Sequence, residues 1–331
     1  MGVFTQLGRS ELCEVAESFD LGELIGFQAI EAGTINSNFR LDTARGRYFL
    51  RVNEGKAEVD VAWEARLVAA LAAGGVRTPP PILARDERPY APLAHTRKWL
   101  SVFPWRPGKH LAPDAVTTGY AEELGAQLAR LHQVGLELPA AMRRGSIYDH
   151  DHLVARFERI EHTVDPALAK ATRILSEELA YVGAHTPIRR HATHGIIHGD
   201  LFRDNVLWDA AASTGNAGLA IAGILDFEQA SGGSLAYDLA VCINDWCWND
   251  GPRMDLVAAL LTGYRRVRDL PAGDREALPI EVRAAAARFT ITRITDVYLA
   301  RLGNPEKDFR AFLARSEAWR GGALGQLSAL L

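Results

Sequence analysis

The sequence predicts an α+β protein with a small β-rich N-terminal lobe and a larger helical C-terminal lobe. Three features carry that expectation. Strand-like segments joined by glycine turns lie ahead of residue 104, apolar residues recur at helical spacing beyond Pro113, and one turn-rich stretch from Gly195 to Glu228 interrupts the helical part. At 331 residues the chain exceeds the usual size of a single domain, so two lobes are expected, 1–103 and 104–331.

In the first lobe, Asn38 to Leu41 and Arg47 to Val52 flank a turn at Arg45-Gly46 and predict a hairpin. From Ala57 to Ala73 the apolar residues Val61, Ala65, Val68, Ala69 and Ala72 share one helical face, and Gly74-Gly75 closes the helix. Thr78-Pro79-Pro80-Pro81 forbids further helix, Lys98 to Phe103 reads as a strand, and Pro104 with Pro107-Gly108 turns the chain toward the second lobe. There a helix is predicted over Asp114 to Val134, with others near 150–183, 236–249, 254–268, 280–302 and 307–330. Strands over Asn205 to Asp209 and Leu219 to Leu225 flank the AASTGNAG insert as a hairpin.

Composition narrows the function classes. Hydrophobic residues make up 48% and charged residues 24% of the chain, the balance of an ordinary globular protein. Thirty-seven basic against 41 acidic residues give a net charge of -4, which supplies no global attraction for nucleic acid or an anionic membrane. Cys13, Cys242 and Cys247 form neither a disulfide framework nor a zinc knuckle. The opening residues lack a signal-peptide pattern, Gln6 breaks a myristoylation motif, and no apolar run spans a bilayer, so a cytoplasmic protein with a small-molecule substrate is expected.

The chemistry concentrates in His198-Gly199-Asp200-Leu201-Phe202-Arg203-Asp204-Asn205 and in Asp226-Phe227-Glu228. Phosphoryl transfer from ATP needs a carboxylate beside the attacking hydroxyl, an oxygen ligand for Mg2+ on the same loop, and a second carboxylate to complete the metal site. Asp200, Asn205 and Asp226 fit these roles, and the Asp-to-Asn interval matches that of the protein-kinase catalytic loop. An Asp near an Asn is, taken singly, more often a turn residue; the joint spacing gives the pattern its weight. His198 reads as a structural hydrogen-bonding residue.

Upstream, Gly33, Thr34 and Ser37 lie in a segment of small residues suited to covering a triphosphate. Arg51 stands on a strand where a kinase places a basic phosphate-binding residue, and Glu64 on the next helix is its candidate partner. Arg203 is a candidate for a substrate carboxylate, for the γ-phosphate, or for the surface. Glu228 is a candidate ligand of a second metal, an attractor of a cationic substrate, or a carboxylate satisfied locally. Asp245 and Trp246 are candidates for a substrate wall, with core packing the alternative for the tryptophan.

On these residues the chain resembles the aminoglycoside phosphotransferase and choline kinase superfamily. Within it, VFTQLGRSEL, the NSNF turn, HGDLFRDNVLWD and SLAYDLAVCINDWC resemble the bacterial homoserine kinases. The resemblance implies a protein-kinase-like fold and transfer of the ATP γ-phosphoryl group to the side-chain hydroxyl of L-homoserine, giving O-phosphohomoserine for threonine synthesis. It further implies Asp200 as base, Asn205 and Asp226 as Mg2+ ligands, Arg51 with Glu64 as the nucleotide-positioning pair, and adenine near Val102 and Phe103. Choline, ethanolamine, sugar or aminoglycoside acceptors are the alternatives within the superfamily; a nucleotide-binding pseudokinase is the alternative outside catalysis.

Overall fold

The computed structural model describes residues 4–31, 35–209, 219–302 and 304–331. The chain forms two compact units, one of Met1–Lys109 with Ala222–Glu228, the other of His110–Ile221 and Gln229–Leu331. The N-terminal unit runs past the expected break at 103 because Trp105 keeps its N–H on the Arg47 carbonyl at 3.1 Å.

The N-terminal unit opens with helix α1 (Arg9–Ser18), capped by Gly8 N–H donating to Glu11 Oε2 at 2.7 Å. Five antiparallel strands follow: β1 (Leu24–Ile30), β2 (Ser37–Thr43), β3 (Gly46–Asn53), β4 (Ala91–Pro92) and β5 (Trp99–Pro104), in the order β1-β2-β3-β5-β4. The β2–β3 hairpin closes at the expected turn, Thr43 facing Gly46 with φ +147° at the glycine. Alternation sets the faces: Phe39, Leu41, Leu50, Val52, Leu100 and Val102 are buried with Leu12 and Val15 of α1, which covers this face of the sheet. Helix α2 (Glu58–Ala73) ends in a Schellman motif, with Val76 N–H on Leu71 O and Gly75 N–H on Ala72 O, both at 3.0 Å, and Gly75 at φ +87°.

The C-terminal unit is helical, with α3 (Thr118–Glu137), α4 (His150–Glu161), α5 (Ala169–Ala184), α6 (Thr186–His191), strands β6 (His194–Ile197) and β7 (Val206–Trp208), then β8 (Ile221–Ile224), β9 (Ser231–Ser234), and helices α7 (Leu235–Trp246), α8 (Met254–Val267), α9 (Ala272–Arg293), α10 (Phe309–Arg320) and α11 (Ala323–Ser328). Residues 222–224 of β8 belong to the N-terminal unit, where Ile224 N–H donates to Arg77 O at 2.7 Å. At the base of the expected hairpin, Asp209 N–H reaches Ala220 O at 3.0 Å; the AASTGNAG insert itself lies outside the described residues. The single helix expected near 150–183 divides where Asp165 caps a short 3-10 turn begun by Pro166, and the one near 307–330 divides at Gly321-Gly322. In the opposite sense, α9 begins well before the expected residue 280 and passes through Pro279, held by the buried Ala277, Leu278 and Ile280 on either side. None of the described helices is long and apolar enough to cross a membrane.

Helices α3 and α8 cross on glycine. A Cβ at Gly125 would come 2.0 Å from Leu260 O, and one at Gly263 would come 1.8 Å from Glu122 O. Gly263→Ala is therefore expected to force the two helices apart and cost about 1–3 kcal/mol. Urea unfolding measures this, and an unchanged midpoint would show that the crossing yields without strain.

Candidate active site

In the N-terminal unit a charge network surrounds the end of the β8 segment. Arg51 on β3 and Glu64 on α2 are each 8% exposed, and Arg51 Nη1 lies 3.0 Å from Glu64 Oε1. The expected ion pair is thus formed. Arg51 Nη2 is 3.4 Å from Asp226 Oδ1, while Lys56 Nζ bridges Glu64 Oε2 and Glu228 Oε2, each at 3.0 Å. Asn36 Nδ2 also donates to Glu228 Oε2 at 2.8 Å, and Asn36 Oδ1 accepts Glu54 N–H at 3.2 Å. Glu228 is therefore engaged as a structural carboxylate in this network, which weakens the metal and cationic-substrate alternatives. Lys56, which no motif distinguishes, is the residue that sequence reasoning missed here; its only signal is a cation placed just ahead of the helix that carries Glu64.

This network sums two cations against three carboxylates, and Asp226 carries the deficit. Burial is the largest cause raising its carboxyl well above the usual range; Arg51 opposes it, and Glu228 and Glu64 reinforce it. Asp226 is held at φ +62°, and its buried Oδ1 accepts no hydrogen bond. An acceptor with one long ion pair and no hydrogen bond, raised in pKa by burial and by neighbouring carboxylates, is fitted to a further cation. Glu228 is shifted the other way: against burial, Lys56, Arg51 and Asn36 hold it below the usual range.

Other nucleotide-side expectations are redistributed. Gly33 and Thr34 lie outside the described residues. Ser37 is fully buried, its hydroxyl donating to Glu54 Oε1 at 2.7 Å and accepting the N–H groups of Phe4 and Thr5 at 2.8 Å. One donor and two lone pairs are then spent, so Ser37 ties down the N-terminus and has no valence left for phosphate. Val102 is fully buried, its side chain packs the sheet, and its carbonyl accepts Ile82 N–H at 2.8 Å. Phe103 is half-buried, beside Phe49.

In the C-terminal unit the loop after β6 is fixed from below by α7. Asp238 is fully buried, and its Oδ2 and Oδ1 accept His198 N–H and Gly199 N–H, both at 2.7 Å. Its Oδ2 also meets His132 Nε2 at 3.2 Å, and His132 Nδ1 meets Tyr264 Oη at 2.8 Å. Gly199 sits at φ +77° with Gln229 O 3.0 Å from where a Cβ would stand. His198 is fully buried and its Nδ1 faces Asp200 N–H at 3.3 Å, the structural role expected of it.

Farther along the loop, Phe202 N–H and Asn205 Nδ2 both donate to Asp200 O, at 2.8 and 2.7 Å. Trp246 Nε1 and Cys242 Sγ hold Leu201 O, and Phe202 packs on Phe289 and Phe312. Backbone and flanks are thereby fixed while the Asp200 carboxylate keeps 31% of its side-chain exposure. Burial is the largest influence on it and raises its pKa; Arg288 and His198 oppose that, and Asp204 reinforces it.

The substrate-side candidates Arg203, Asp245 and Trp246 are engaged in contacts within the unit. Arg203 is bound to Asp245 twice, through its N–H at 2.9 Å and its Nη2 at 3.1 Å, so both residues serve as a brace for the loop. Trp246 is fully buried and stacks edge-on with Trp208, which makes it core. The cation at the carboxylate of Asp200 is instead Arg288 of α9, with Nη1 at 3.5 Å from Oδ1. Its signal was an arginine closing the run Ala284–Ala287, directly before Phe289.

Residues 26–270 match the model of the APH phosphotransferase enzyme family. A homoserine kinase of Methylobacterium radiotolerans is 35% identical over 300 residues, covering 89% of this chain and 88% of that protein. One of Paramagnetospirillum magneticum is 32% identical over 299 residues, covering 89% of each. Among solved structures, the amicoumacin kinase hAmiN in complex with AMP-PNP, Ca2+ and Ami shares the fold at a TM-score of 0.71 and 14% identity, covering 95% of this chain and 94% of that one.

Proposed function

We propose, from the premise that the chain belongs to the APH phosphotransferase enzyme family and is an ATP-dependent phosphotransferase acting on a hydroxyl, that its acceptor is the side-chain hydroxyl of L-homoserine. The observation that carries the chemical part is the loop of Asp200: the His198 and Gly199 N–H groups and the Asp200 carbonyl are held, while the Asp200 carboxylate stays 31% exposed beside Arg288. The acceptor itself is carried over from the homoserine kinases to which the chain is similar.

In the proposed mechanism Asp200 orients the acceptor hydroxyl and takes its proton as the phosphoryl group transfers. Arg51, locked by Glu64, offers its remaining donors to phosphate oxygens. Asn205 and Asp226 are proposed as the residues that hold Mg2+, whose charge would offset that of the phosphates. The fit rests on Asp226 Oδ1, which accepts no hydrogen bond, and on the Asn205 amide, whose Nδ2 donates to Asp200 O so that its oxygen is the end suited to a metal. O-phosphohomoserine for threonine synthesis would be the product. The free thiols of Cys13, Cys242 and Cys247 suit a reducing compartment, and a cytoplasmic location is proposed with it.

The test is ADP release from ATP and Mg2+ with L-homoserine, beside L-serine, L-threonine, choline, ethanolamine, N-acetylglucosamine and kanamycin. Homoserine is expected to give the highest kcat/KM, and a chelator is expected to abolish release. A clear preference for any other compound overturns the acceptor, and undiminished release in the chelator overturns the metal.

A further inference from the structure

Arg288 has more donors than partners. It is 4% exposed, yet its Nε is buried without an acceptor, and among the described residues its one ion-pair partner is Asp200 at 3.5 Å. Its guanidinium carbon stands 4.1 Å from the ring centroid of Tyr148 and 3.8 Å from that of Phe289, so the fork is held in place by ring faces, with hydrogen-bonding capacity to spare. Arg203 Nη1 and Arg189 Nε are also buried without an acceptor, but each of those arginines has a closer carboxylate, Asp245 at 3.1 Å and Glu281 at 3.0 Å, than Arg288 has in Asp200. Arg293 donates to Asp308 O at 3.1 Å, and Arg315 donates to Asn244 O and Ala311 O at 2.5 and 2.6 Å. A buried cation with one long ion pair and an unpaired Nε has capacity for a further anion. Tyr237, half-buried, lies within electrostatic range of both Arg288 and Asp200.

We infer that Arg288 receives the carboxylate of the acceptor, so that the enzyme selects hydroxylated amino acids over amino alcohols lacking that group. The inference rests on the reading of Asp200 as the base that meets the hydroxyl. Because Arg288 touches Asp200, hydroxyl and carboxylate must be joined by a short carbon chain, which suits a small hydroxyamino acid and excludes a bulky glycoside. A bidentate carboxylate would fill the open fork and compensate the buried charge, whereas an amino alcohol would bring a second cation toward it.

The experiment uses three pairs that differ only by a carboxylate: L-homoserine and 3-aminopropanol, L-serine and ethanolamine, L-threonine and 1-amino-2-propanol. Within each pair the ratio of kcat/KM values is measured for the wild type, Arg288→Met and Arg288→Lys, with the thermal midpoint and the KM for ATP as controls of folding. The ratio cancels any general effect of the substitution on Asp200. The wild type is expected to favour the carboxylate-bearing member, Arg288→Met to reduce that preference by about 10- to 100-fold, and Arg288→Lys to keep part of it. The same loss of preference in a pair other than homoserine's sustains the role of Arg288 while overturning homoserine as acceptor. A preference left intact as turnover falls equally for both members overturns the inference, leaving Arg288 a partner of Asp200 alone; so does a wild type that favours the amino alcohols or uses none of the six.

Discussion

Asp200→Ala is expected to lower turnover by about 10²- to 10⁴-fold, the range a positioned general base contributes, with the KM for ATP changed by no more than about twofold. The separation follows from where Asp200 stands. Its carboxylate pairs with Arg288 and is proposed to meet the acceptor hydroxyl, whereas Arg51 and Asp226 are proposed to meet the nucleotide and its metal. A second readout concerns pH. Burial raises the Asp200 carboxyl, so the acid limb of kcat/KM should lie above the ordinary aspartate value of 3.8, with activity lost as pH falls through the raised pKa. Stability should move the other way. A carboxyl with a raised folded pKa binds protons more readily folded than unfolded, so above its unfolded pKa it detracts from stability, and Asp200→Asn should unfold at the same temperature or higher. Steady-state ADP release, a pH profile and a melting curve measure the three effects. A variant that loses ATP affinity but turns over normally at saturation would remove Asp200 from the role of base.

Much of this was legible in the sequence where the pattern was local. The Asp200-to-Asn205 spacing, the Arg45-Gly46 turn and the Gly74-Gly75 helix stop are set by neighbouring residues, and each is found where the residues place it. The Arg51–Glu64 pair was legible as well, because strand and helix follow directly on each other. The errors fall where a side chain's fate depends on a distant partner. Arg203 and Asp245 each looked free for substrate, and only the packing of α7 under the loop joins them. Ser37 looked suited to phosphate until the chain before α1 and Glu54 took all of its hydrogen-bonding capacity. Val102 and Trp246 carry the right chemistry for adenine and substrate, and both are fully buried in the assembled units, which a local pattern does not show. Arg288 escaped notice because a charge within a helix usually marks a solvated face, and its burial beside Asp200 is a property of the assembled unit.

Asp238 makes the contrast with Asp200 sharp. Asp238→Ala is expected to cost about 3–5 kcal/mol in unfolding free energy, because it leaves a buried network without the partner that satisfies it. The carboxylate meets His132 and accepts both His198 N–H and Gly199 N–H; with alanine there, two buried backbone donors lose their acceptor at the start of the catalytic loop. The pH dependence gives the sign independently. Burial alone would raise the Asp238 carboxyl, but the hydrogen bond and charge of His132, the charge of His198 and the Gly199 N–H outweigh it and hold it below the usual range. A depressed folded pKa contributes stability that is complete above the unfolded value of about 4 and is lost as pH falls through the folded value. The wild type should therefore lose stability more steeply below about pH 4 than Asp238→Asn, which has no such proton to take up. Urea unfolding at several pH values measures this, and hydrogen exchange over Leu201–Asn205 reports whether the loop loosens with it. Since Asp200 depends on that loop for its position, turnover should fall in Asp238→Ala too, but accompanied by faster exchange, whereas in Asp200→Ala exchange should stay slow. Equal exchange in the two variants, or a cost below about 1 kcal/mol at Asp238, would mean that the loop is held by Trp246 and Arg203 without the help of Asp238.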